Sequence, residues 1–302
     1  MDAVRVREVG PRDGFQNEPE IIPTGDKVRL IDALARTGLE RIEVTSFVRD
    51  DVIPQLADAS EVLARVDLPE GVRASVLIPN LRGLERALEQ RDSFHEVSVF
   101  LSASETHNAK NVNRTIAQSL ESLYAVLARA READLRCEGV ISTSFGCPYE
   151  GEVAPEAVLA IARALVDAGA SEIAFGDTTG MANPVQVRSF FARAFQELPG
   201  VELTGHFHNT RGQGLANVLA ALEEGCRSFE ASFGELGGCP VPPGATGNIA
   251  TEDLVSLLEE MGLHTGVSLD ALLEATRDVA GVLGRPLTSH TLVAGPVDWH
   301  RS

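Results

Sequence analysis

Short apolar runs alternate with longer amphipathic stretches along nearly the whole chain. Val4–Val9, Arg41–Thr45, Val72–Ile78, Glu96–Leu101, Leu135–Thr143, Glu172–Phe175, Val201–Phe207 and Arg227–Ala231 read as strands. Between them, helices are expected at Thr24–Thr37, near Ile53–Val66, and over Leu81–Gln90, Val112–Ala133, Pro155–Ala168, Pro184–Leu198, Gly212–Glu224 and Thr251–Met261. Thr24 suits the first helix as N-cap and Gly38 as the residue past its end, and Pro184 suits a first helical turn. No linker, low-complexity tract or composition break divides the chain. Eight strand–helix units without a break predict an α/β fold, a (β/α)8 TIM barrel over residues 1–302, with an additional C-terminal helix at Leu269–Leu283. A doubly wound open sheet is the competing architecture. It favours a glycine-rich dinucleotide turn after the first strand, and Gly10-Pro11-Arg12-Asp13-Gly14 is not one.

Composition narrows the partners. The 302 residues are 44% hydrophobic and carry a net charge of −18, so a large core can form and nucleic acid is not an expected partner. An anionic small substrate must be met by local positive charge. The most apolar stretches, such as Ala157–Val166, are short and interrupted by charge, so no membrane span is expected. The four cysteines, Cys137, Cys147, Cys226 and Cys239, form no CxxC pair. With no basic leader pattern at the N-terminus, that predicts a reduced, cytoplasmic chain.

A barrel places its chemistry at the C-terminal ends of the strands. The unusual polar residues fall there. In His206-Phe207-His208 the two imidazoles are two apart, so on a strand they share a face. They read either as a pair of metal ligands or as two strand-end residues hydrogen-bonded to neighbours. Arg12-Asp13 follows the first strand, as an ion pair or as a metal carboxylate beside a substrate-facing guanidinium. Glu43 lies among Ile42 and Val44, where a carboxylate is costly unless paired. Asp177 ends the sixth strand and is a second inward acid, or else a cap for the turn through Thr178 and Thr179. The glycine-rich stretch Gly234–Gly247 surrounds Cys239, an inert thiol or an acid/base group on a closing loop. Asn248 at its end is a helix cap or an amide ligand. Asp13, His206, His208 and Asn248 belong to strands one, seven and eight, which adjoin in a closed barrel. Two nitrogens and two oxygens suit a divalent cation, Mg²⁺ or Mn²⁺ foremost, with Zn²⁺ also admitted.

At these residues the sequence resembles the 3-hydroxy-3-methylglutaryl-CoA lyase family, among the metal-dependent lyase and synthase barrels. The resemblance runs from Val6 to about Leu283. It is carried by the segments beginning Glu8-Val9-Gly10-Pro11-Arg12-Asp13 and Glu43-Val44-Thr45-Ser46-Phe47, by Gly146-Cys147-Pro148-Tyr149-Glu150-Gly151, and by Gly176-Asp177-Thr178. His206-Phe207-His208, Gly237-Gly238-Cys239-Pro240 and Gly247-Asn248 complete it. The resemblance implies that Asp13, His206, His208 and Asn248 hold the metal and that Arg12 stabilises a thioester enolate. It also implies that Glu43 and Asp177 orient groups or exchange protons and that Cys239 acts from its loop.

Three departures bear on the acyl pocket. These lyases typically read Asp-Thr-Tyr where this chain has Asn209-Thr210-Arg211, and Pro-Tyr-Ala where it has Pro240-Val241-Pro242. A tyrosine usual in their fifth strand aligns with Val140. Gln16, Val140, Asn209 and Arg211 are therefore expected to contact substrate. The reaction implied is a retro-Claisen cleavage of an acyl-CoA substrate to acetyl-CoA and a keto acid, with Asp177 the first candidate base and His206 the second. His95 and His107 are not required by it. The open alternatives are a citramalyl-CoA or isoprenoid-extended substrate, a metal aldolase on free keto acids, and a noncatalytic acyl-CoA-binding barrel. Assembly as a homo-oligomer is expected.

Overall fold

A computed structural model of the chain describes residues 3–238 and 247–299. Its eight strands are β1 (Arg5–Glu8), β2 (Arg41–Ser46), β3 (Arg73–Leu77), β4 (Glu96–Ser102), β5 (Arg136–Ser142), β6 (Glu172–Asp177), β7 (Glu202–Phe207) and β8 (Ser228–Ala231). All pairings are parallel and run in chain order, and β1 closes on β8 with Arg7 opposite Glu230. The (β/α)8 architecture expected from the alternating pattern is thus the observed one.

The helices are α1 (Thr24–Ala35), α2 (Ala59–Arg65), α3 (Leu81–Leu88), α4 (Glu105–Val112), α5 (Ile116–Glu132), α6 (Pro155–Asp167), α7 (Pro184–Glu197), α8 (Gly214–Glu223), α9 (Thr251–Glu260), α10 (Leu269–Leu283) and α11 (His290–Ala294). Three differ from the sequence pattern. The long helix expected from Val112 is broken, because Asn113 takes a left-handed conformation (φ 54°) and Thr115 starts a new helix with a capping box to Gln118. The helix expected near Ile53 opens as a 3-10 turn, Pro54–Leu56, before α2. Beyond α10, Ser289 caps the short α11. Thr24 is also not a cap: Pro23 precedes α1, and Thr24 Oγ1 donates to Asp58 at 2.7 Å.

Between strands and helices the core is apolar. On one side Phe175, Phe190, Phe191 and Phe207 pack edge to face or tilted, with Phe175 and Phe190 centroids 4.8 Å apart. This cluster fixes α7 against β6 and β7, the strands that carry Asp177 and the histidines. The barrel interior is different. Arg7 of β1 reaches across to Glu138 of β5, and Arg41 of β2 joins Glu96, Glu138 and Glu172. Barrel interiors are commonly filled by branched apolar residues. Here buried ions fill the layer, and they are tolerable because each has partners. Burial pushes the Glu138 carboxyl up from its usual range against the pull of Arg41 and Arg7.

Candidate active site

The chain leaves β1 through a single π-type turn, Gly10–Gly14, in which the Phe15 amide reaches back to Gly10 O. Such turns recur at functional sites. This one swings Arg12 and Asp13 over the C-terminal mouth of the barrel. Arg12 Nε donates to Glu43 Oε2 at 2.5 Å and Nη1 to Asp13 Oδ1 at 2.7 Å. Gln16 Nε2 donates to the same Asp13 oxygen at 2.8 Å, and Asn248 Nδ2 donates to the other, Oδ2, at 2.7 Å. Both Asp13 oxygens are therefore aimed. Gly237 (φ 87°) permits the approach: a Cβ there would lie 2.8 Å from Asn248 Nδ2 and 3.0 Å from Asp13 O.

His206 is the next-to-last residue of β7, and His208 follows two residues later on the same face. Their Nε2 atoms stand 3.0 Å apart. One carboxylate oxygen of Asp13 and one ring nitrogen from each histidine all lie within 4.8 Å of one another. His208 bridges to Asn248 in backbone pairing, which brings the amide beside the imidazoles. Asn248 Oδ1 is buried and has no hydrogen-bond partner among the described residues. A buried orphan acceptor beside two facing ring nitrogens and a carboxylate is what a divalent cation satisfies, so the donor set fits one. Charge agrees. Burial opposes the Asp13 carboxylate, yet the Arg12 guanidinium beside it holds it below its usual range. Burial and His206 push His208 down to about 3, leaving the neutral ring that metal binding requires.

A cavity of about 510 Å³ opens above this centre. Of the residues singled out in the sequence, Arg12, Asp13, Gln16, Val140, His206 and His208 line it. Glu43 does not; it is buried behind Arg12, raised by burial against Arg12's pull, and orients the guanidinium. Asp177 does not line it either, although its neighbours Gly176 and Thr178 do. Its Oδ1 accepts from the Met181 and Ala182 amides at 2.8 and 3.0 Å, so the carboxylate caps the turn one step later than Thr178 and Thr179. Its Oδ2 is buried without a partner among the described residues, and burial pushes the acid up to about 7. Asn209 and Arg211 are absent from the lining. Asn209 Nδ2 donates to Glu235 at 2.5 Å, and Arg211 Nη1 donates to the Thr179 and Gly180 carbonyls at 2.9 and 2.7 Å. They tie loops together behind the wall. Asn248 caps no helix, since Ala250 precedes α9. Cys239 and Val241 lie outside the described residues.

The chain matches the HMGL-like family model over residues 3–279. This chain belongs to the HMGL-like family. It is 47% identical over 289 residues, 96% of each chain, to a hydroxymethylglutaryl-CoA lyase of Bacillus subtilis. It is 45% identical over 282 residues, 93% of each chain, to a Pseudomonas aeruginosa 3-hydroxy-3-isohexenylglutaryl-CoA/hydroxymethylglutaryl-CoA lyase. An HMG-CoA lyase structure from Acinetobacter baumannii, in complex with coenzyme A and 3-methylmalate, superposes with a TM-score of 0.94 at 42% identity, covering 100% of this chain and 98% of that one.

Within this HMGL-like barrel, sequence reasoning passed over several residues that the fold brings to the cavity. Helix α4 supplies His107, Lys110 and Asn111, and β8 supplies Glu230. His107, set aside in the sequence as unneeded, is buried at the cavity wall, whereas His95 accepts the Ala74 amide away from it. Lys110 is one of only two lysines in the chain, and that rarity was the available signal. Glu230 offered none beyond a carboxylate inside an apolar strand, the pattern already noted at Glu43.

Proposed function

We propose that this chain is a divalent-metal-dependent carbon–carbon lyase. It cleaves a 3-hydroxyacyl-CoA, 3-hydroxy-3-methylglutaryl-CoA or a close analogue, to acetyl-CoA and a keto acid. The observation that carries the reading is the meeting of Asp13, His206 and His208 within 4.8 Å beneath a lined cavity, in an HMGL-like chain. Asp13, His206, His208 and Asn248 would hold the cation, and their mixed oxygen and imidazole donors favour Mg²⁺ or Mn²⁺. When bound, such an ion supplies Lewis acidity to the substrate's hydroxyl and carboxyl oxygens.

The chain's own groups supply the rest. Asp177, whose neighbours Gly176 and Thr178 line the cavity and whose acid is held near neutrality, is the first candidate to take the proton from the tertiary hydroxyl, and His206, on the lining itself, is the second. The bond between the hydroxyl carbon and the thioester α-carbon breaks, and its electron pair passes to the thioester as an enolate. Arg12, held in place by Glu43, faces that oxyanion, a role worth about 3 kcal/mol. Cys239 returns a proton to the enolate carbon, giving acetyl-CoA. Arg12 and Lys110 are the Arg and Lys side chains of the lining among the described residues, and they meet the anionic substrate that a net charge of −18 otherwise repels. A cytoplasmic setting belongs to the same proposal, supported by the buried free thiols of Cys137, Cys147 and Cys226.

One observation favours a second substrate. Val140 shares the lining with Val48, Val52, Ile53, Leu77 and Phe100, an apolar surface with room for a longer 3-substituent. The test is acetyl-CoA release from methylglutaryl, isohexenylglutaryl and citramalyl thioesters, by wild type and Val140→Tyr. We expect wild type to cleave at least one, and Val140→Tyr to shift the ratio of specificity constants toward the methylglutaryl thioester by roughly tenfold or more. Binding of all three without acetyl-CoA release would instead mark a noncatalytic acyl-CoA barrel.

A further inference from the structure

Glu230 has no part in the reaction just set out, yet it touches the centre. It lies on β8, in register with His206 of β7 on one side and Arg7 of β1 on the other. Its Oε2 stands 2.8 Å from His206 Nδ1, and its Oε1 3.4 Å from Arg7 Nη2. The side chain is buried and borders the cavity. We infer that Glu230 is the positioning residue of the metal centre, holding His206 with its hydrogen on Nδ1 so that Nε2 offers a bare lone pair to the shared ligand point. This rests on the metal-site reading above.

The hydrogen-bond chemistry leaves little choice. An ionised carboxylate only accepts, so Nδ1 of His206 must donate to it. A neutral imidazole carries one ring hydrogen, so Nε2 is then the acceptor. That nitrogen faces His208 Nε2 at 3.0 Å: it accepts a hydrogen from His208 when the site is empty, and with His208 in the other tautomer both nitrogens turn a lone pair toward a cation. His208 has no comparable anchor: its Nδ1 finds no partner among the described residues. The centre therefore contains one ring fixed from behind through Nδ1 and one whose Nδ1 has no such anchor among the described residues.

Glu230 is itself fixed. Arg7 Nη2 also binds Glu138 of β5, and its Nη1 donates to Thr204 Oγ1 of β7 at 2.6 Å. Arg41 extends the same layer to Glu96 and Glu172. The buried ions of the barrel interior thus form a continuous support running from β4, β5 and β6 up to one ring nitrogen. An outer carboxylate of this kind orients the ligand ring and raises its basicity, and losing it typically costs ~10–100-fold in metal affinity. A Glu230 that merely neutralised Arg7 would leave metal affinity untouched.

Mn²⁺ titration followed by electron paramagnetic resonance on wild type, Glu230→Gln and His206→Ala separates the cases. Long-range ¹⁵N–¹H spectra of the histidine rings in Mg²⁺-loaded wild type, at mildly alkaline pH, add the tautomer. We expect Glu230→Gln to bind Mn²⁺ ~10–100-fold more weakly, and His206 to carry its hydrogen on Nδ1. Wild-type affinity in Glu230→Gln, or a His206 hydrogen on Nε2, overturns the inference. Retention of Mn²⁺ by His206→Ala overturns the metal-site reading instead. If Glu230→Gln does not fold, the ring spectrum of the wild type decides alone.

Discussion

Arg12 stands between Glu43 and Asp13, and the geometry of its fork explains why an arginine is there. Nε and Nη1 are spent on the two carboxylates, 2.5 and 2.7 Å away, and the side chain still borders the cavity. A lysine has one nitrogen and no fixed plane. Arg12→Lys should lower kcat by ~10²–10³-fold, the usual cost of one oxyanion donor, with Mn²⁺ affinity within about twofold of wild type because the charge remains. A variant within twofold in kcat would reduce Arg12 to an ion-pair partner. Asp177 makes a signed prediction. A base works only when ionised, and burial holds this acid at about 7, so kcat/KM should fall as pH drops below that value. Asp177→Asn should lose both the rate and that acidic limb. A limb that survives in the variant belongs to another group, His206 being the next candidate.

At the scale of elements, β7 and the turn after β1 were legible because their signals are local. Two histidines at i and i+2 share a face of any strand, and Arg12-Asp13 follows directly on a strand end. The contact of Asn248 with Asp13 spans most of the chain and was reached only through barrel closure. Helix α4 was missed for a physical reason. Glu105–Val112 is mostly polar, so periodicity does not announce it, and the break lies in the left-handed Asn113 and the Thr115 cap. Asn108 then secures the bend, donating to Arg114 O and Ser119 Oγ and accepting from the Ser102 amide. This bend is what delivers His107, Lys110 and Asn111 to the cavity. Thr115→Ala should cost about 1 kcal/mol of stability in chemical denaturation, the usual worth of such a cap. It should leave Mn²⁺ affinity unchanged, since α4 supplies no metal donor. An equal loss of metal binding would mean that the centre depends on this helix.

At the scale of the molecule, the eight-fold alternation fixed which strand ends would meet, and closure of β1 on β8 brought Asp13 beside His206, His208 and Asn248. The ionic layer inside the barrel was not legible. Arg7, Arg41, Glu138 and Glu172 look locally like the polar face of half-exposed strands, and only closure turns that face inward. Asn209 and Arg211 were expected at the substrate because they depart from the residues usual in these lyases; the loops turn their side chains toward Glu235, Thr179 and Gly180, outside the cavity lining. The central claim is that a divalent ion at this mouth is required for cleavage. Its most direct test is acetyl-CoA release from the preferred thioester by protein stripped of metal, with chelator present, then after Mg²⁺ or Mn²⁺ is returned in excess, in wild type and His206→Ala. The account predicts loss of activity on stripping, recovery in wild type and no recovery in the folded variant. Full activity in the stripped protein with chelator present would contradict it.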